Sequence, residues 1–295
     1  MPSAVYGQIK SAFKHLNPSE VRELAERPLS VGLIASTSAG FAAMEELLAP
    51  SPALSAARRY EIERVMHRAS LAYGPRDFDL LLCESELLCP RGGFCFDPAK
   101  PRDTIREIVE RREDLRLPLA RNFLPFRRPV IAKIIKTIAR ENAMFSVVTA
   151  LPDVVPSLIE LPWAVGEFAS DTAFLTMNQV RMAFLIAGAS DQDTGYREQR
   201  AQIAGIVAGA FGWRALAREL AGKIPFGGGL IPKAAIAFAG TWTVGIGLER
   251  YYRLGYGLTR EERRRVYQQA LERGRSLVAS VVEAAKVHRR AAIGE

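Results

Sequence analysis

The stretch Leu29-Ser30-Val31-Gly32-Leu33-Ile34, running into Ala35-Ser36-Thr37-Ser38-Ala39-Gly40-Phe41-Ala42, governs the first half of the chain. A short apolar run rich in branched residues, bounded by a small flexible segment, suits a strand buried on both faces. The residues after Gly40 carry Met44, Leu47 and Leu48 at helical spacing. Strand, small-residue loop and helix together form the outline of a phosphate-binding βα unit. A working phosphate loop needs a glycine, four residues, a second glycine, a lysine and a hydroxyl residue. Its amides cradle the phosphates, its lysine neutralises the β/γ oxygens and its hydroxyl holds magnesium. Here Gly40 is present, but Ala35 replaces the first glycine, Phe41 stands at the lysine position and Ala42 removes the hydroxyl. The segment 35–42 therefore predicts the shape of a phosphate site without the electrostatic stabilisation that phosphoryl transfer requires.

On the N-terminal side, residues 4–16 read as an amphipathic basic helix. A second helix opens at Asn17-Pro18-Ser19-Glu20, where Asn17 can cap and Pro18 suits the first helical position. On the C-terminal side, residues 56–72 read as helix, and Phe78-Asp79-Leu80-Leu81-Leu82-Cys83 as a second buried strand. The span 84–101, with Pro90, Gly92, Gly93 and Pro98, reads as loop. Asp103 is expected to cap a helix carrying Ile105, Ile108 and Val109 inward. Another helix is expected after Pro129, with Val130, Ile131, Ile134, Ile135 and Ile138 on one side, and residues 144–149 read as a third strand. Alternating strands and helices predict a small, mostly parallel sheet in an α/β domain over residues 1–151.

Beyond Pro152 the strand pattern stops. Segments 157–169, 171–189, 197–222, 233–253 and a last helix opening at the capping box Thr259-Arg260-Glu261-Glu262 predict an all-α, apolar helical domain over residues 152–295. Glycines such as Gly205, Gly209, Gly240 and Gly245 suit close helix approach, in a bundle or in a bilayer. Residues 234–248 carry no charge. A single-pass span needs about 20 apolar residues, so this stretch reads first as a buried core helix and second as a membrane-inserted hairpin beginning near Ile224. Gly222-Lys223 resembles the end of a phosphate loop, but it follows a helix and reads as its C-cap. Polar exceptions inside the apolar half are Asp171, Asn178, Gln179, Arg181, Lys223, Lys233 and Thr241. Because polar groups in such surroundings need partners, they read first as an interhelical hydrogen-bond network and second as the lining of a polar site between helices.

The formal net charge is +8 and the pI about 9.6, which predicts attraction to anionic surfaces. The basic stretches, near 102–140 and 250–290, also carry Asp and Glu, as solvated helix faces do. Neither aromatic interleaving nor a familiar motif points to specific nucleic-acid binding. The early Lys10, Lys14 and His15 interrupt any secretory apolar run, and three cysteines at intervals of six do not form a secreted disulfide framework. A cytoplasmic location is expected, with inner-membrane association through the helical domain. Cys83, Cys89 and Cys95 lack the paired spacing and fourth ligand of a zinc site and read as idle or buried thiols, so no metal is expected. The histidines, His15, His67 and His288, lie apart, and no nucleophile setting is recognisable, so no catalytic residue is assigned. No Asn-Lys-x-Asp or Thr-Lys-x-Asp stretch offers guanine recognition. No nucleotide and no cofactor are expected.

The stretch Asp171-Thr172-Ala173-Phe174-Leu175-Thr176-Met177-Asn178-Gln179 resembles the opening of the domain of unknown function 697, the helical domain found beside Era-like GTPases and in YcjF-type proteins. Gly212-Trp213-Arg214, Ile224-Pro225-Phe226-Gly227, Pro232-Lys233-Ala234-Ala235-Ile236-Ala237 and Ala239-Gly240-Thr241 extend the resemblance, while Met177 stands where that family has lysine. It implies a GTPase-linked or membrane-associated helical domain, and makes the 35–42 loop look like a degenerate Era-like GTPase core. The expectation is a non-catalytic, pseudo-GTPase-like interaction or scaffold protein acting at a membrane surface or with a protein partner. The rival is a noncanonical nucleotide-binding NTPase that takes its cation from Lys100 or an arginine of the Arg111–Arg128 region, such as Arg112.

Overall fold

The computed structural model describes residues 16–50, 55–70, 77–149, 171–209 and 230–293. The chain forms two compact units, Ser19–Ala132 with Ala187–Asp193, and Lys133–Ile186 with Thr194 onward. The division differs from a cut at residue 151. It falls within one helix, because the apolar positions from Ile134 onward belong to the helical core.

The first unit opens with α1 (Pro18–Glu26) and β1 (Val31–Ile34), followed by α2 (Ser38–Leu48), α3 (Ala56–Glu63) and β2 (Met66–Arg68). Next come β3 (Leu80–Glu84), β4 (Phe94–Phe96), α4 (Pro101–Arg111), a 3₁₀ turn (Glu113–Leu115) and α5 (Arg116–Asn122). The four described strands form one sheet in the order β2-β1-β3-β4, and each neighbouring pair is parallel. β1 is buried at all four positions, as its unbroken apolar sequence requires of a strand covered on both faces. Asp79 finishes the lower edge of the sheet: its carboxylate accepts from the Ser30 N–H at 2.9 Å and pairs with Arg27.

Two strands stand where the sequence suggests helix or loop. The helix expected over residues 56–72 stops at Glu63, and β2 pairs in register with Val31, Gly32 and Leu33. It is three residues long with exposed His67 and Arg68, too short and polar to register as strand. β4 lies inside the expected 84–101 loop, where Phe94 and Phe96 are buried and Cys95 exposed. That alternation is a strand signal, masked by the flanking glycines and prolines. The helix expected to be capped by Asp103 begins at Pro101, with Lys100 at the N-cap, and Asp103 instead pairs with Arg106.

Helix α6 (Leu124–Val148) corrects two further expectations. It starts before Pro129, which sits inside it, and it runs through the segment 144–149, the expected third strand. The run Phe145-Ser146-Val147 is ambiguous between strand and buried helix. What decides it is continuity: Ile135, Ile138, Ala139, Asn142, Ala143 and Val147 are all buried along one helical path. The Ser146 hydroxyl is satisfied within the helix by the Asn142 carbonyl at 3.1 Å.

The helical unit continues with α7 (Asp171–Ala189), a helical stretch α8 over residues 200–209, α9 (Leu230–Leu254) and α10 (Arg260–Ile293). Its core joins Ala139, Ala143 and Val147 of α6 to Ala234, Phe238 and Ala239 of α9 and Ala270 and Val278 of α10. Phe145 and Phe174 stack at 3.8 Å between centroids. The uncharged stretch 234–248 lies within the continuous helix α9 and is largely buried. No described helix is long and apolar enough to cross a membrane. The capping box before α10 is formed reciprocally: Thr259 Oγ1 accepts from the Glu262 N–H and the Glu262 carboxylate accepts from the Thr259 N–H. Arg250 also reaches Glu262, at 2.6 Å, and these contacts hold its carboxyl down at about 2. The expected helices at 4–16 and 157–169, the end of the one at 197–222, the C-cap at Gly222-Lys223 and the apolar piece from Ile224 lie outside the described residues.

Candidate functional site

In open parallel sheets a ligand crevice forms beyond the carboxyl ends of the strands where the strand order reverses. In this sheet β1 is followed by β2 on one side and flanked by β3 on the other, so the reversal lies between β1 and β3. The loop after β1 and the end of β3 meet there. Ala35, Ser36 and Thr37 carry the chain into α2, and Ser38, Ala39, Gly40, Phe41 and Ala42 lie in its first turns. Thr37 is the N-cap: its backbone is extended and its Oγ1 accepts from the Gly40 N–H at 3.0 Å.

At this switch point the chain's own carboxylate meets the loop after β1. Glu84, the last residue of β3, accepts from both the Ser36 N–H and the Ser36 hydroxyl, each at 2.8 Å. The Glu84 carboxylate lies directly against Gly40: a Cβ there would be 2.6 Å from its carboxyl carbon and would displace it from Ser36. The Ser36 backbone N–H, then its hydroxyl, hold the Glu84 carboxyl below the usual carboxylate range, with help from Thr37 and against burial. The contact is therefore fully ionic at neutral pH and is lost as pH falls through that lowered value. A helix N-terminus favours negative charge, and here a carboxylate provides it. Glu84 is absent from the site residues that the sequence suggests.

No cation stands free beside this carboxylate at the position a phosphate loop gives to lysine, which is Phe41 here. Phe41 is partly buried, and the Arg68 guanidinium lies 5.0 Å from its ring centroid. Arg68 is engaged by the Glu45 carboxylate through two bonds, at 2.9 and 3.2 Å. Arg112, one of the cations the rival reading offers, is at the other end of the sheet. It donates to the Asp79 carbonyl at 2.6 Å and pairs with Asp114, beside the start of β3. Register geometry puts it a full strand length from Glu84, so it cannot serve the crevice. Lys100 is exposed at the start of α4 and makes no capping bond through its side chain.

A second polar cluster lies within the helical unit. Asn142 of α6 donates to Thr241 Oγ1 at 2.8 Å and to the Leu175 carbonyl at 3.3 Å, and its own side-chain carbonyl accepts from Asn178 at 2.9 Å. Gln179 also donates to Thr241 Oγ1, at 3.2 Å. All four side chains are buried. The structure thus brings together Asn178, Gln179 and Thr241 around Asn142, which its sequence hides because the surrounding segment divides between helix and strand patterns. Arg181 lies apart from this group and pairs with Glu141 at 3.1 Å, whose carboxyl is raised by burial against the opposing pull of Arg181. Lys233 is partly buried and has partners of its own. Asp171 opens α7, and its side chain lies outside the described residues. The cluster is a set of neutral donors and acceptors that tie α6, α7 and α9, with no group poised for proton transfer.

Among the described residues no group of three or more His, Cys, Asp or Glu side chains is placed to hold a metal ion. No protein-family model, curated protein or solved structure matches the chain.

Proposed function

We propose that the protein is a non-catalytic interaction protein whose α/β unit is a degenerate, GTPase-like core with a self-occupied anion site, and that it acts at an anionic membrane surface. The observation that carries the first half is the Glu84 carboxylate bound to Ser36 against Gly40. A phosphate entering that crevice would meet a like charge where it needs amide donors, with Phe41 and Ala42 in place of the cation and the metal hydroxyl. The resemblance of residues 171–179 to a helical domain found beside Era-like GTPases is part of this reading. Calorimetric titration with GTP and with ATP, each with magnesium, is expected to give no binding at micromolar nucleotide. Magnesium-dependent micromolar affinity for either would reject the reading in favour of the NTPase.

Support for the membrane half comes from the junction of α9 and α10. Tyr251, Leu254 and Tyr256 are exposed within six residues of one another. In the turns that follow, Arg260, Arg264 and Arg265 are exposed and unpaired among the described residues, against one exposed acid, Glu261, while Glu249 is paired with Arg253 and Glu262 with Arg250. Amphipathic rings beside unpaired arginines fit the interface of an anionic bilayer. Sedimentation with vesicles is expected to show binding to phosphatidylserine-containing but not to purely zwitterionic membranes, weakening as salt is raised. Replacing Arg260, Arg264 and Arg265 together by alanine should weaken binding roughly 10²-fold, at about 1 kcal/mol for each arginine. Equal binding to both vesicle types would remove the electrostatic basis, and no binding to either would leave a protein partner.

A further inference from the structure

The three cysteines, evenly spaced and without a recognisable motif in sequence, are gathered by the fold. Cys83 is buried in β3. Cys95 is its register partner on β4 and is exposed. Cys89, in the intervening loop, turns back over β3 so that its sulfur lies 2.8 Å from that of Cys83. This is only about 0.8 Å longer than a disulfide bond of about 2.05 Å. The loop is shaped for the approach: the Leu87 N–H donates to the Glu84 carbonyl and the Gly93 N–H to the Pro90 carbonyl, each at 2.9 Å. Gly93 is where a side chain would intrude, since a Cβ there would lie 2.7 Å from the Cys89 sulfur. Ile34, Leu81, Phe78 and Leu87 pack in the same apolar cluster, so the two thiols have apolar surroundings.

We propose that Cys83 and Cys89 are a reversible dithiol, closed to an intramolecular disulfide by exchange with a small-molecule disulfide, and that Cys95 is the thiol through which the exchange enters. The Cys95 thiolate attacks one sulfur of the disulfide RSSR; a Cys95–SR bond forms, the RS–SR sulfur–sulfur bond breaks, and RS⁻ leaves to take up a proton. Cys89 attacks Cys95 Sγ and passes its proton to the second RS⁻ as that group is expelled, so that it leaves as RSH. Cys83 then attacks Cys89 Sγ and releases the Cys95 thiol. The balance is RSSR plus two cysteine thiols giving the Cys83–Cys89 disulfide plus two RSH. The two cysteines are oxidised, and the small disulfide is reduced. Cys89 has both neighbours as hydrogen-bonding partners, which is what a relay residue needs. Burial is the first cause raising both Cys83 and Cys89, so they stay protonated and inert toward direct attack at neutral pH. An exposed entry thiol removes that obstacle. Disulfides in reducing compartments are mostly transient and redox-sensing, which is the behaviour expected of this pair.

The test uses the full chain, reduced and then exposed to oxidised glutathione, with thiols counted after denaturation and the intact mass measured. Two of the three thiols should disappear with no glutathione retained, and the mass should fall by two hydrogens. Cleavage after Glu84 and Glu86 separates Cys83 from Cys89, so a linked peptide pair identifies the bond. Cys89→Ser, with its fold checked by circular dichroism, should stop at a glutathione adduct on Cys95. Cys95→Ser, which alters only an exposed position, should reach the same Cys83–Cys89 bond about ten times more slowly or worse. Three persistent thiols, a stable Cys95 adduct in the unaltered protein, or a Cys89–Cys95 bond as end product would each overturn the proposal. An unchanged rate in Cys95→Ser would remove the entry role.

Discussion

Replacing Asn142 by alanine is expected to destabilise the helical unit by about 3 kcal/mol, the largest loss expected from a single member of its polar cluster. Asn142 is fully buried and makes three of the bonds in that cluster: to Thr241, to the Leu175 carbonyl and from Asn178. Truncation leaves the Asn178 amide without its acceptor in a place water does not reach, and a buried orphan costs roughly 1–3 kcal/mol. A cavity between three helices adds to this. By thermal denaturation the midpoint should fall by roughly 10 °C. The mechanism makes a second demand. Replacing Asn142, Asn178 and Thr241 together by Leu, Leu and Val removes three of the four polar side chains at once, leaving the Gln179 amide as the one that loses its acceptor, and should cost less than the three single losses summed. A single Asn142→Ala loss below about 1 kcal/mol, or strict additivity in the triple variant, would show that the cluster is not a coupled network.

The second large effect is expected at Gly245. A Cβ there would lie 2.7 Å from Ile135 Cγ1, 3.0 Å from Ile135 Cγ2 and 3.1 Å from Met182 Sδ. Three helices meet at that point, so none can recede without moving its neighbours, and Gly245→Val should cost about 2–3 kcal/mol by overpacking. Gly247, further along α9, provides the contrast. A Cβ there would meet only Leu258 Cδ1, at an ordinary 3.9 Å. Gly247→Ala should therefore stabilise by about 0.5–1 kcal/mol, through the backbone entropy that glycine loses in a helix. Urea titration of the two variants measures both signs. If Gly245→Val were as stable as the unaltered protein, α6, α7 and α9 could not pack as closely as described.

These sites differ in how visible they are in the sequence. Asn178, Gln179 and Thr241 stand out as polar residues in apolar helices. Asn142 does not, because Phe145-Ser146-Val147 shortly after it is equally compatible with a strand. Gly245 reads as a residue suited to close approach, but not as the point where three helices meet. In the α/β unit, β1 and β3 are visible as unbroken apolar runs, while β2 and β4 are too short for their patterns to compete with the polar and turn residues around them. Glu84 escapes notice for a related reason: nothing local distinguishes an acid ending a strand from any other, until the neighbouring strand is known.

By itself the sequence determines the constraints that act between near neighbours: an apolar run must be covered, Phe41 and Ala42 cannot neutralise or ligate, and Thr259 with Glu262 caps a helix. Only the tertiary structure decides which distant groups share a site. The β2-β1-β3-β4 order puts Glu84 on Ser36 across 48 residues, and the loop between β3 and β4 turns Cys89 onto Cys83. Packing of α6, α7 and α9 closes Asn142 on Thr241 across 99 residues. The physical reason is range. Propensity, capping and burial act through local spacing, whereas hydrogen bonds and thiol contacts require distances of about 3 Å that only the completed packing can set.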